Sequence, residues 1–122
     1  MVITNIATPT INAEQFLAHV VSTLSAMGIA MSDAKQHSIR ISERHPSEVS
    51  PKECYFVQCW AKTPDYNGKQ PDNRTEMHYY PIERTLFINL SYSGAGMNAV
   101  EHALKRNGMT DLNGQPLALT FE

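Results

Sequence analysis

Surplus charge is the first thing this sequence lacks. Ten Lys and Arg stand against twelve Asp and Glu, for a net charge of −2 and a pI near 6.2. Domains that grip nucleic acid through its phosphates usually carry a basic excess, so the balance counts against that class. Cysteine is nearly absent: Cys54 and Cys59 stand alone. Five positions apart in one strand, they point to opposite faces, and a bridge between them is geometrically implausible. Two free thiols fit a reducing compartment, and the expected location is the cytoplasm. No run of 18 or more apolar residues is present, so no membrane span is expected. The first residues lack the basic start and apolar run of a signal peptide.

Motifs of known chemistry are missing too. There is no Gly-x-Ser-x-Gly elbow, His-Glu-x-x-His, Walker A loop or EF-hand loop. The carboxylate pattern of metal-dependent nucleases does not occur either. The histidines (His19, His37, His45, His78 and His102) form no i, i+4 pair and no zinc-module spacing. No metal, cofactor or catalytic residue is therefore assigned.

What is present is an ordinary globular composition. It is 42% hydrophobic and 18% charged, which argues against disorder. At 122 residues the chain is one domain. A chain of that size buries roughly two-thirds of its unfolded surface and folds without disulfides or metal.

The stretch Arg84 to Gly108 organises the rest. Leu86, Ile88, Leu90 and Tyr92 alternate with Thr85, Phe87, Asn89 and Ser91, which reads as a strand. A Gly turn and a helix follow. The helix carries an apolar stripe of Val100, Ala103 and Leu104, with Lys105 and Arg106 in its last turn and Gly108 as its stop. Asn98 and Glu101 have the spacing of a capping box, and the Gly turn offers an earlier start for the same helix.

A first helix is expected over Ala13 to Met27. Asn12 caps it, Gln15 completes an Asn-x-x-Gln box, and Ile11 and Phe16 form a hydrophobic staple. Phe16, Leu17, Val20, Val21, Leu24 and Met27 recur at helical spacing up to Gly28. Strands are expected at His37–Ser42, with Ile39 and Ile41 inward, and at Lys52–Thr63. Both faces of the latter are largely apolar, as in an interior strand. Others follow at Thr75–Tyr80 and from Leu117 to Phe121. Met1 to Thr10 fits a short edge strand or an arm. Residues Pro64 to Arg74 carry Pro, Asp, Asn and Gly without periodicity, and a loop of that length suits binding.

The expected fold is therefore a single α+β domain in the order α-β-β-β-β-α-β. Its sheet is mainly antiparallel with four or five strands. Both helices pack on one face, and the final strand–helix–strand unit runs parallel.

Three surfaces compete for function. Gly94-Ala95-Gly96-Met97-Asn98-Ala99 matches G-x-G-x-x-A between a strand and a helix, where Ser93, Gly94, Gly96 and Asn98 would cradle phosphate. The acidic residue near the end of the next strand, Glu122, lies about 28 residues on instead of about 20, and the parallel strands of a dinucleotide fold are lacking. A tight turn that lets the helix pack is the plainer reading. His78 shares a strand face with Glu76 and Tyr80, a trio with acid–base potential that equally suits a polar sheet surface. Cys59 has no activating neighbour in sequence and reads as a buried, inert thiol.

Tyr55, Trp60, Tyr66, Tyr79 and Tyr80 cluster in and between the central strands, and such residues dominate binding hot spots. An ordinary core with tyrosines at its margin accounts for them equally well. The leading expectation is a non-enzymatic protein-binding domain of the inhibitor, immunity or adaptor kind, acting on another protein or on a second copy of itself. Its binding residues would be Tyr55, Trp60, Tyr66, Arg74, His78 and Tyr80. The alternatives are phosphate or nucleotide binding at the Gly turn, and single-stranded nucleic acid stacked on a tyrosine-bearing sheet face.

Overall fold

The computed structural model describes residues 12–41, 53–63, 67–69, 71–89 and 97–122, with the backbone alone at 97 and 98. The elements are α1 (Ala13–Ala26), β1 (Ala30–Met31), β2 (Ser38–Ile41), β3 (Tyr55–Lys62), β4 (Asp72–Tyr80), β5 (Thr85–Asn89), α2 (Met97–Asn107) and β6 (Ala118–Phe121). The order is α-β-β-β-β-β-α-β in a single α+β domain, one strand more than the sequence pattern suggested. The extra strand, β1, has two residues, too few for a period of two to register.

The N-cap expected at Asn12 is present. The Asn12 side chain accepts from the Gln15 backbone N–H at 3.1 Å. At the other end Gly28 takes φ +92°; its N–H bonds the Ser25 carbonyl and the Ile29 N–H bonds the Leu24 carbonyl. That pair of bonds is a Schellman closure, in which a left-handed residue satisfies the last carbonyls. It also returns Ile29 to the core beside Leu24. The staple partner Ile11 lies outside the described residues.

The backbone does not place Asn98 at an N-cap position, and its side chain lies outside the described residues. Helix α2 begins at Met97, so Asn98 lies inside its first turn, and Glu101 bonds Lys105 one turn on, at 2.6 Å. A side chain within the helical backbone does not occupy the extended N-cap position.

Every residue of β3 pairs with β4, so β1 and β2 share the opposite side of β3. The sheet continues through β5 to β6, antiparallel except for the parallel β5–β6 pair. The register sets Ile39, Val57, Met77, Ile88 and Phe121 in one row across five strands. All of them belong to one core with Phe16, Val20 and Leu24 of α1 and Val100, Ala103 and Leu104 of α2. Both helices therefore cover one face of the sheet. Phe16 stacks on Tyr79 at 4.0 Å between ring centroids.

Three local expectations change. Ile41 shares the covered face with Ile39 but is 72% exposed, because it ends the outermost strand. The strand expected from Thr75 begins at Asp72, since β3 continues to Lys62 and pairs with it, so Arg74 is a strand residue and not part of a loop. The Leu90 and Tyr92 positions fall outside the described residues.

Candidate functional site: the uncovered sheet face

Among the described residues the second face of the sheet is uncovered, in that no helix packs on it. Strand alternation sends Phe56, Gln58 and Trp60 of β3 to this face, with Arg74, Glu76, His78 and Tyr80 of β4 and Phe87 of β5. The register lines three of these up with Arg40 of β2. Arg40 faces Phe56, Phe56 faces His78, and His78 faces Phe87. The Arg40 guanidinium sits 4.8 Å from the Phe56 ring centre, the Phe56 and His78 rings are 5.1 Å apart, and His78 meets Phe87 edge-on at 6.3 Å. The result is a continuous cationic and aromatic belt across four strands.

Beside the belt, Trp60 pairs across the ladder with Arg74, and the Lys35 ammonium lies 5.3 Å over the Trp60 ring. The Arg74 Nε donates to Glu76 Oε2 at 3.0 Å. Glu76 is 8% exposed, and this charge-assisted bond gives its buried carboxylate a counter-charge. Phe56, Trp60, His78 and Phe87 are half-buried.

This geometry sorts the residues expected from sequence. Trp60, Arg74, His78 and Tyr80 share the uncovered face, although Tyr80 is 7% exposed and offers little area. Tyr55 lies on the opposite, helix-covered face, 2% exposed, its hydroxyl bonded to Glu53 Oε2 at 3.0 Å. Tyr79 is also on the covered face. Among the described residues Tyr80 is thus the tyrosine on this face, because odd-numbered positions of β3 and β4, Tyr55 and Tyr79 among them, turn to the core. Tyr66, Ser93, Gly94 and Gly96 lie outside the described residues. So does the side chain of Asn98.

Sequence reasoning passed over Phe56 and Phe87. Phe87 stands at the polar parity of β5, but Phe56 carried no such signal because both faces of β3 are largely apolar, and their meeting is set by register between strands. The Glu76–His78–Tyr80 trio does share one face, but the Glu76 carboxylate is engaged by Arg74 and the His78 ring packs between two phenylalanines. On the covered face Cys59 is fully buried, and burial pushes its thiol up to about 12, which keeps it protonated and non-nucleophilic. Among the described residues, no three His, Cys, Asp or Glu side chains are grouped to hold a metal ion.

The class defined here is a mixed α+β sandwich with two helices on one sheet face and an aromatic belt on the other. Compared with protein-family models, curated proteins and solved structures, the chain gives no match. Among the described residues no helix is long and apolar enough to cross a membrane.

Proposed function

We propose that the protein is a non-enzymatic protein-binding domain, of the inhibitor, immunity or adaptor kind, and that the uncovered sheet face is its contact surface. The observation that carries this reading is the Arg40–Phe56–His78–Phe87 belt with Trp60 and Arg74 beside it. Arg and aromatic residues are the types enriched at interface hot spots. The rigid ladder beneath holds them in place before contact, which lowers the entropy cost of binding. The partner is another protein or a second copy of this chain. Two free thiols fit action in the cytoplasm.

The test places a photo-cross-linking residue at position 56 and, as a control, at position 102 on exposed α2, in the native host. A single protein captured from position 56 and not from 102 supports the reading. That capture should disappear in Phe87→Ala, with a loss of affinity of about 30-fold or more for a hot-spot residue. Equal capture from both positions, or capture unaffected by Phe87→Ala in a folded variant, removes the proposal.

A further inference from the structure

A concave surface lies on the helix-covered side of the sheet, between α1 and the β1–β2 border. Its origin is a register defect. Ala61 pairs with Met31 and Gln58 with Ser38, so β3 spends residues 59–60 where the border strand inserts residues 32–37. The surplus chain is tied down at both ends to one residue. The Ser32 N–H bonds the Trp60 carbonyl at 2.9 Å, and the Trp60 N–H bonds His37 Nδ1 at 3.1 Å. Ser32 Oγ accepts from the Ala34 and Lys35 N–H groups at 3.2 and 3.0 Å, which fixes the turn between them.

Between this border and the flank of α1 opens a groove of about 740 Å³. Leu17, Val21, Met31 and Ile39 line it, all half-buried and packed on the core. Its volume and mainly apolar lining lie in the range of small-molecule sites. His37 also lines it. An Nδ1 that accepts the Trp60 N–H must be unprotonated, so the neutral ring carries its hydrogen on Nε2. The groove wall thus holds a donor of fixed tautomer in His37, in a lining that also carries the Ser22, Ser25 and Ser38 hydroxyls and the Gln36 amide. The lining includes the carboxylate of Glu14 and no Lys or Arg, so an anionic head group would meet like charge and no counter-charge.

We propose that this groove binds a small neutral apolar molecule bearing one carbonyl acceptor of the ketone, ester or amide class. The hydrocarbon body rests on Leu17, Val21, Met31 and Ile39, and the carbonyl oxygen accepts from His37 Nε2–H. A pure hydrocarbon displaces water from that half-buried donor without offering an acceptor in its place, which costs affinity.

The experiment is an NMR titration of the full chain with three probes of similar size: 4-phenyl-2-butanone, butylbenzene and 3-phenylpropanoate. The expected result is saturable shifts at the Leu17, Val21, Met31 and Ile39 methyls, and at the His37 ring nitrogens, with the ketone. The ketone should bind about tenfold tighter than the hydrocarbon, and the carboxylate weakest. Ser22 is exposed and lines the groove, so Ser22→Trp should fill it and abolish the shifts while the fold persists. Four results overturn the proposal. They are no ketone shift at these methyls, equal binding of ketone and hydrocarbon, shifts that survive Ser22→Trp, and a concentration-dependent dimer that protects Leu17 and Val21, which would assign the groove to a second copy of the chain.

Discussion

Cys59 shows how one side chain links burial to pH. Its thiol titrates ordinarily at 9.0 and is pushed up to about 12 by burial. Below pH 9 the thiol is neutral in both states, so its burial favours folding in full. Between 9 and about 12 only the unfolded chain releases the proton, so this contribution falls as pH rises through that window. Tyr79 is raised as well, first by burial and then by Asp111, and adds to the same alkaline loss. Urea midpoints measured from pH 8 to 11 should therefore fall, and fall less steeply in Cys59→Ala, although that variant starts lower by about 1 kcal/mol from the lost sulfur packing. Asp111 acts by geometry. Its Oδ1 accepts the Asn113 and Gln115 N–H groups at 2.8 and 2.9 Å and holds the turn before β6. Asp111→Ala should cost about 1–3 kcal/mol by denaturant titration, because two backbone donors lose their acceptor. The turn itself was legible as Asn113-Gly114. The role of Asp111 was not, since an acceptor two and four residues away leaves no periodic trace.

At the scale of elements, local chemistry and local structure agree best at α1. Its cap, apolar stripe and closing glycine were all readable in sequence, and all occur. Gly28→Ala should lower stability by about 1 kcal/mol, because φ +92° disfavours a Cβ even though nothing crowds the site. The β4–β5 hairpin shows the reverse. Residue 84 carries φ +53°, a left-handed value, yet it is Arg. Arg84→Gly should raise the thermal midpoint, by about 0.5–1 kcal/mol of stability, since relief of left-handed strain exceeds the added chain entropy. Helix α2 shows where a short motif misleads. Asn98 and Glu101 have the right spacing, but spacing alone does not say that the helix has already begun at Met97.

For the whole molecule, the two sheet faces predict opposite responses to mutation. Phe16 is fully buried and stacked on Tyr79. Phe16→Ala should cost about 3–5 kcal/mol, read as a collapse of the calorimetric midpoint. Phe87 on the uncovered face is only half-buried, and Phe87→Ala should cost well under half as much while weakening partner binding. Equal destabilisation by the two would mean that both faces are core. Sequence alone determined the main elements and the alternation within them. Alternation and capping are local properties, so the two helices, the main strands, the inward side of β5 and the α+β class were readable from residue order. Only the tertiary structure decided which parity of β3 and β4 faces the helices. Both faces of β3 are apolar enough to be core, so the choice rests on packing against α1 and α2, which turns Tyr55 and Tyr79 inward and Phe56 and His78 outward. Pairing between strands distant in sequence then assembled Arg40, Phe56, His78 and Phe87 into one belt, and folding the surplus residues 32–37 against Trp60 opened the groove. Neither arrangement leaves a mark within any single stretch of chain, because both are set by register between strands.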